Sequence, residues 1–369
     1  MSSSILSRRA TRALGSLGHF RRPAGTFPLQ QRHYEAVTGI QTTTTESFPI
    51  ASQPGPARQR PQLNIWQQAY RPRYYNAIAV IMKLRETYEK DRFIFVKGSE
   101  MVQLLKGLGA REEDFEALPR VSDRLYGDPT LPFRKTRNGR FCFDFNRRTL
   151  RRLEFQPFVL SAEEGFKRHD SGQTRSFDEI EDDLQLNTAF QALCLFKAMI
   201  FHGIPMRQRP NFDYSVNYWI CTLFSLRTLT TPQLRGEPAL EGVHMDGVDH
   251  TMTTLLATDN MRSDSAVTFM HDIKEVTGIQ LKEADAGLIQ GRAQHVDFLD
   301  TLLVADYERK HSVSTVYAED PSKNAHRDML VFFTRKPVTK DHISSSVDSL
   351  VPHKEMPMEI PLIVPGKQQ

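Results

Sequence analysis

The chain has 369 residues, of which 39% are hydrophobic and 25% are charged, a composition typical of a folded globular protein. Its length accommodates one large domain with additions or two smaller domains. No stretch approaches the roughly 20 apolar residues that a membrane-spanning helix needs, so we expect no membrane span. Three widely spaced cysteines (Cys142, Cys194 and Cys221) predict neither a disulfide framework nor a thiolate metal site, and they favour a reducing compartment.

The net charge of +4 is concentrated at the start of the chain. Residues 1–34 contain six arginines, no lysine and no acid, and subtracting these six charges from +4 leaves −2 for the rest. The rest of the chain therefore gives no electrostatic reason to expect nucleic-acid binding.

Residues 1–62 have the composition of a disordered extension. Residues 1–34 combine Ser, Arg and scattered apolar residues, which is typical of a mitochondrial presequence, although a basic tail without a targeting role has the same composition. Residues 35–62 add a threonine run and several prolines, and such a segment buries too little apolar surface to offset its ordering entropy. The two interpretations of the first 34 residues predict a mitochondrial and a cytoplasmic location, respectively.

Helical spacing of apolar residues dominates the next part of the chain. It predicts helices at residues 70–89, 99–108, 111–118 and 187–202. Between them, Asn138-Gly139 lies among short apolar pieces and predicts the turn of a β-hairpin. Residues 147–160 are expected to be extended, and residues 163–183 to form a surface loop.

Short β-branched or aromatic segments follow Pro210. Strands are predicted at residues 216–229, 252–258, 266–270, 298–305, 313–317 and 329–333. Regular short strands of this kind favour a closed all-β architecture such as a jelly roll. We therefore expect a helical and hairpin part (63–205) packed on a β core (206–337), with a C-terminal tail (338–369).

The most informative motif is His244-Met245-Asp246, which has Gly242 and Gly247 near its two ends. On an extended segment, side chains two residues apart point to the same side. One imidazole nitrogen and one carboxylate oxygen can therefore share a metal ion, and a third ligand would come from elsewhere in the chain.

His311 is the candidate for the third ligand, in competition with His295 and His326. We expect His295 to be solvated because its neighbours are polar and loop-like, and we expect His326 to lie in a loop. Two histidines and one carboxylate, with other coordination positions open, suit non-haem Fe(II) that activates O2.

Two further residues are candidates near a substrate. Arg227 ends the segment YWICTLFSLR (218–227) within the predicted strand 216–229, where it would bind a substrate carboxylate or form a structural ion pair. His250 would share the face of Asp246 on a continuous strand, either beside the site or as a packed core histidine.

Three pieces of the chain, in order, resemble the Fe(II)/2-oxoglutarate dioxygenase family typified by bacterial L-isoleucine hydroxylases, which act on free amino acids. These pieces are EGVHMDGVD (241–249), DYERKHSVST (306–315) and RDML (327–330). The basic, aromatic piece FRKTRNGRF (133–141) is similar to the region before the family's core. The resemblance covers about residues 120–336.

The resemblance implies a mainly β core, a double-stranded β-helix (jelly roll, cupin-like), with packed flanking α-helices (α+β overall). It implies Fe(II) held by His244, Asp246 and His311, with 2-oxoglutarate and O2 as co-substrates. Arg327 would pair with the distal carboxylate of 2-oxoglutarate, because a guanidinium donates two parallel hydrogen bonds. Arg335, on the same face of its strand by period, is the alternative for this contact.

The resemblance also implies an enzyme that oxidises a C–H bond of a small substrate, and a free aliphatic L-amino acid is the expected one. Arg227 and Asp249 are the candidates for binding its carboxylate and its ammonium group. Hydroxylation, desaturation and ring closure all stay open, as does the oligomeric state. The rival interpretations are an oxygenase of the same class acting on a protein side chain or a secondary metabolite, and a non-catalytic β-barrel that binds metal or a partner.

The chain departs from the family pattern in two places. Thr315 stands where the family has proline, and Asp259-Asn260 with Ser263-Asp264-Ser265 replaces an Arg-Asn pair followed by two glycines. Because the second segment usually lies near the substrate, this departure concerns the identity of the substrate rather than the metal site.

Overall fold

The structure, a computed structural model, describes residues 62–363. The predictions of a disordered extension and a presequence therefore lie outside the described residues, apart from residue 62. No helix within 62–363 is both long enough and apolar enough to cross a membrane. Cys142, Cys194 and Cys221 are each buried and free.

Five α-helices lie in the described part of the chain. They are α1 (Pro72–Asp91), α2 (Gly98–Leu108), α3 (Glu112–Ala117), α4 (Asp182–Gln185) and α5 (Thr188–Phe201). Helix α1 begins with Pro72, whose fixed φ suits a first helical position, and α5 begins after Asn187, whose side chain accepts hydrogen bonds from the backbone N–H groups of Ala189 and Phe190. The four predicted helices are confirmed, and the short α4 was not expected.

Thirteen strands lie in the same range. They are β1 (Phe93–Val96), β2 (Tyr126–Gly127), β3 (Arg134–Asp144), β4 (Thr149–Leu153), β5 (Asp178–Glu179), β6 (Tyr218–Thr230), β7 (His250–Asp259), β8 (Val267–His271), β9 (Ile289–Gln294), β10 (Thr301–Ala305), β11 (Lys310–Val313), β12 (Ala325–Arg335) and β13 (Glu359–Pro361). Five of the six predicted strands are confirmed. The strand predicted at 313–317 is wrong, because β11 ends at Val313.

The strands form two sheets, which are antiparallel except where β5 pairs with β3 in parallel; β2 and β5 both pair with β3 beside the main strand order. In the large sheet the order is β1-β10-β7-β12-β6-β3-β4-β13, and in the small sheet it is β11-β8-β9. This architecture with flanking helices is the predicted double-stranded β-helix. The large sheet crosses the expected part boundaries, because β3 and β4 lie before residue 206 and β13 lies after residue 337.

The large sheet has two different faces because side chains alternate along each strand. In β12, Leu330 and Phe332 belong to the main hydrophobic core, where Phe332 stacks on Phe190 of α5 with ring centroids 6.1 Å apart. Val331 and Phe333, on the opposite face, line a cavity whose wall also includes residues of the small sheet. The helices therefore cover one face, and the cavity lies against the other.

The predicted hairpin turn at Asn138-Gly139 is wrong, because both residues lie inside the continuous strand β3. A Cβ atom at Gly139 would lie 2.4 Å from Nη1 of Arg152 and 2.7 Å from Cγ1 of Ile180. The glycine is needed for this close approach and not for a turn.

Lys197 of α5 is a fully buried cation in the helix-covered core. Its Nζ donates hydrogen bonds to the carbonyl oxygens of Phe332 (2.8 Å) and His250 (3.2 Å). Burial lowers the pKa of Lys197 from 10.5 to about 8.

Lys197→Met should remove a pH dependence of stability. Between pH 8 and 10.5 the unfolded chain keeps the lysine proton while the folded chain has released it, so the lysine makes the free energy of unfolding rise with pH there. Across that interval the free energy of unfolding of the wild type should rise by roughly 3 kcal/mol relative to that of the variant. Urea denaturation of both proteins at a series of pH values measures this difference, and parallel profiles would contradict the assignment.

Candidate active site

His244, Asp246 and His311, called the triad below, meet in the wall of the cavity. One potential ligand atom from each lies within 4.8 Å of the others. His244 and His311 face each other across an antiparallel bridge with backbone N–H···O distances of 2.9 and 3.0 Å. Oδ1 of Asp246 lies 3.3 Å from Nε2 of His244, and Oδ2 lies 3.4 Å from Nε2 of His311. The triad thus presents two imidazole nitrogens and a carboxylate to one point.

The backbone turns sharply after the triad's aspartate. Gly247 has a φ of 74°, and a Cβ atom there would lie 2.9 Å from Cδ2 of Leu160. Only glycine takes this conformation without strain, and it lets the chain turn before β7 begins at His250.

Neighbouring side chains hold the aspartate in place. Thr251 donates a 2.6 Å hydrogen bond to Oδ2 of Asp246. The buried carboxylate of Asp306 accepts a 2.8 Å hydrogen bond from the backbone N–H of Asp246 and a 2.7 Å hydrogen bond from Nη2 of Arg209. Such contacts around metal ligands fix their orientation. Sequence reasoning assigned no role to Thr251, Asp306 or Arg209, because their contacts depend on the folded chain.

The local charge around the triad favours a cation. Burial lowers the pKa of His244, but the carboxylates of Glu241 and Asp246 outweigh burial and raise it to about 9. Burial and the charge of Asp246 raise the pKa of Asp306 to about 6. Nδ1 of His244 lies 2.9 Å from the carbonyl oxygen of Gly242, so a proton on Nδ1 leaves Nε2 free to bind a metal.

Arg327 lines the same cavity and is buried. Burial lowers its pKa to about 10, so it remains protonated at neutral pH. Within residues 62–363 its Nη2 lies 3.3 Å from Nδ1 of His295, its Nε has no hydrogen-bond partner, and no carboxylate lies within ion-pair distance of it. A buried guanidinium in this position is suited to receive an anionic ligand.

The expectation that His295 is solvated is wrong. Its ring is completely buried, and Nε2 lies 3.1 Å from Oγ1 and 3.2 Å from the carbonyl oxygen of Thr253. Burial and the charge of Arg327 lower the pKa of His295 to about 3, so the ring is neutral. It supports Arg327 and does not belong to the triad. The loop expected at His326 is also wrong, because this residue lies in β12; its Nε2 is 3.8 Å from Oδ2 of Asp328, and it is outside the cavity wall.

The structure does not bring Arg227 or Asp249 to the cavity. Arg227 makes hydrogen bonds of 2.6 and 2.7 Å to Asp328, its cross-strand neighbour, on the helix-facing side of the sheet. Asp249 is buried and accepts hydrogen bonds from Oη of Tyr214 (2.5 Å) and the backbone N–H of Lys336 (2.9 Å). Both proposed substrate contacts are therefore corrected: each side chain already has a structural partner.

Two other candidates also have structural roles. Arg335 forms an ion pair with Asp348, at 2.9 and 3.1 Å, and does not line this cavity. His250 packs on the helix-facing side, with Nδ1 2.7 Å from Oη of Tyr88 and its ring 4.9 Å from that of Phe201. The face of Asp246 does not continue to His250, because the turn at Gly247 interrupts the alternation.

Another part of the cavity wall is a charged cluster that sequence reasoning missed. It combines three arginines and two acids with several apolar side chains, and its charged members are Asp128, Arg134, Arg168, Arg175 and Glu241. Arg134 lies in the basic FRKTRNGRF piece, so its charge was visible in the sequence. The others come from segments that only the folded chain brings together.

The segment 259–265, expected near the substrate, contributes no residue to the cavity wall. Asn260 holds this turn instead, by hydrogen bonds to the backbone of Asp320. Thr315, at the other departure, donates a 2.8 Å hydrogen bond to Glu237 and is also outside the wall.

Comparisons with known proteins agree with this site. A sequence model of the family described as 2OG-Fe dioxygenase matches residues 119–333. The chain is 50% identical over 300 residues to the bifunctional enzyme flvA of Aspergillus flavus; the match covers 81% of this chain but only 36% of flvA. The chain therefore spans much less than two thirds of that relative.

Solved structures give the same picture. The Fe(II)/(alpha)ketoglutarate-dependent dioxygenase TqaL is 55% identical, with a TM-score of 0.69, and the match covers 79% of this chain and 98% of TqaL. A bsmA homologue from Methylobium petroleophilum PM1 is 18% identical, with a TM-score of 0.56. The match covers 70% of this chain and 94% of the homologue, and it supports the fold alone. None of these names states a substrate, so the finer resemblance to L-isoleucine hydroxylases is not shown.

Thr251→Val should weaken divalent-metal binding by between about 10-fold and 100-fold, because Asp246 loses the hydroxyl that orients it. Competition with a chromophoric chelator, using Co(II), measures the affinity. Thr254→Val is the matched control, since the hydroxyl of Thr254 pairs with Thr301 instead. Equal affinities in the two variants would show that Thr251 does not support the site.

Proposed function

Since the chain belongs to the 2OG-Fe dioxygenase family, we propose that His244, Asp246 and His311 hold its Fe(II) and that Arg327 binds the distal carboxylate of 2-oxoglutarate. The enzyme uses Fe(II), 2-oxoglutarate and O2, as the family does. When bound, these supply the oxidising power that breaks an unactivated C–H bond.

The residues present fit these groups. Two nitrogens and one carboxylate around one point suit a non-haem Fe(II) site with open positions. Within the described residues, Arg327 is a buried cation without a carboxylate partner, which is costly unless an anion joins it. The observation that carries the proposal is that the triad and this arginine line one cavity.

The proposed substrate is small, and we propose a free aliphatic L-amino acid. The cavity contains about 1080 Å³ of empty space, part of which is open to solvent. Its wall combines apolar side chains, such as Phe224, Val331 and Phe333, with the charged cluster. Apolar walls suit an aliphatic side chain and exclude water, and charged groups suit a carboxylate and an ammonium.

The role of the protein's own residues is to bind and orient. Arg327 would fix the distal carboxylate of 2-oxoglutarate, and the Fe(II) held by the triad would fix its other end. The apolar wall would hold the substrate's C–H bond near the triad. Hydroxylation, desaturation and ring closure all begin with cleavage of that bond, and the proposal covers all three.

A substrate panel tests the proposed function. Purified protein with Fe(II), ascorbate and 2-oxoglutarate should release succinate faster when one of a set of aliphatic L-amino acids is added. His311→Ala should abolish this release, because the remaining two ligands hold Fe(II) poorly, whereas His326→Ala, outside the cavity, is the matched control.

Two results would contradict separate parts of the proposal. If no amino acid stimulates succinate release although 2-oxoglutarate binds, the substrate class is wrong. If His311→Ala keeps the wild-type rate, the assignment of the third ligand is wrong.

A further inference from the structure

We propose that Glu241, Arg134 and Arg175 form a subsite for the two charged groups of an amino-acid substrate, called the zwitterion subsite below. Glu241 accepts hydrogen bonds from the ammonium group, and the two arginines donate to the carboxylate. This inference rests on the proposed function and adds to it the residues that recognise the substrate.

The two arginines have donors that no described residue uses. Nε of Arg134 and Nε of Arg175 are both buried and without a hydrogen-bond partner within residues 62–363. Nη2 of Arg134 donates to the carbonyl oxygen of Pro238 at 2.9 Å, which fixes the guanidinium in the wall. Two unused donors on neighbouring cations match the two oxygens of a carboxylate.

Arg175 is positioned by aromatic rings and only partly neutralised. Its guanidinium carbon lies 5.3 Å from the ring centroid of Phe158 and 5.8 Å from that of Phe177, distances typical of cation–π contacts. The carboxylate of Asp170 is 3.5 Å away, but it already accepts hydrogen bonds of 2.6 and 2.7 Å from Arg168. Arg175 therefore retains positive charge that a substrate carboxylate can balance.

Glu241 has the complementary unused acceptor. Its side chain is only 8% exposed, and Oε2 has no hydrogen-bond partner among the described residues; Nη1 of Arg168 is 4.0 Å away from it. Oε1 lies 3.3 Å from Nε2 of His244.

Asp128, the other acid in the cluster, is occupied. Its Oδ1 accepts hydrogen bonds from the backbone N–H groups of Thr130 (2.9 Å) and Leu131 (3.1 Å), and Oδ2 lies 3.4 Å from the hydroxyl of Thr136. These contacts hold the loop before β3. Glu241 is therefore the acid available to an ammonium group.

The charge balance of the cluster favours a ligand without net charge. The three arginines and two acids of the cluster sum to +1, and Asp170, the ion-pair partner of Arg168, brings the formal sum of these six side chains to zero. A zwitterion adds no net charge to this buried wall, whereas a simple cation or dianion would remain uncompensated. Because Glu241 touches His244 directly, the ammonium end of the substrate would face the metal site.

Three related compounds test the subsite: L-isoleucine, the corresponding 2-hydroxy acid, which lacks the ammonium group, and L-isoleucinamide, which lacks the carboxylate. Each is titrated by calorimetry into full-length protein loaded with Fe(II) and 2-oxoglutarate in the absence of O2. The wild type should bind the amino acid about 100-fold more tightly than either analogue, since each analogue leaves a buried charge unpaired.

Each variant should lose the preference for the amino acid over one analogue and keep the preference over the other analogue. Glu241→Gln should bind the amino acid and the hydroxy acid about equally, yet still reject the amide. Arg175→Gln should bind the amino acid and the amide about equally, yet still reject the hydroxy acid. Arg134→Gln provides a second arginine variant if Arg175→Gln does not fold. Glu237→Gln is the matched control, because Glu237 pairs with Thr315 outside the cavity.

The outcomes separate this inference from the proposed function. If the wild type prefers the amino acid and Glu241→Gln keeps the full preference over the hydroxy acid, the subsite is wrong while the function stands. If Glu241→Gln loses Fe(II), measured by metal content, the residue belongs to the metal site and the subsite is again wrong. If the wild type binds none of the three compounds and no amino acid stimulates succinate release, the substrate class fails and the subsite with it.

Discussion

The backbone hydrogen bonds that join His244 to His311, 2.9 and 3.0 Å long, hold two distant segments of the chain side by side and set both imidazoles against Asp246. Asp306 and Thr251 then fix the aspartate from its backbone and its carboxylate. A metal site assembled this way needs little reorganisation when the ion binds, because its ligands are already oriented by contacts they keep.

The alternation of side chains along the strands decides which arginines reach the cavity. Arg327 shares the face of Val331 and Phe333, so it is buried in the cavity wall. Arg227 has the opposite parity on the neighbouring strand, and its cross-strand partner Asp328 neutralises it there. Two arginines at the same end of the sheet thus have different surroundings because they face opposite sides.

The motifs in the sequence single out the triad and Arg327, which the structure brings together in one cavity wall, because a motif and the order of motifs can be recognised along the chain without knowing the fold. Strand register and burial depend on contacts between distant segments, which explains why some predictions were wrong. His295 has polar neighbours in sequence but packs beneath Arg327, and Gly139 resembles a turn residue but makes room for Arg152 inside a strand. The fold class was predictable from regular short strands and the motifs together. The charged cluster was not, since Arg175 lies in a segment expected to be a surface loop.

Anaerobic titration of 2-oxoglutarate into the Fe(II)-loaded protein, followed by visible absorbance, tests most directly whether the triad and Arg327 act as one site. We expect a saturable change in absorbance at one equivalent, with a Kd raised about 100-fold in Arg327→Ala and unaltered in Arg335→Ala, whose guanidinium pairs with Asp348. No saturable change in the wild type, or wild-type affinity in Arg327→Ala, would contradict this expectation.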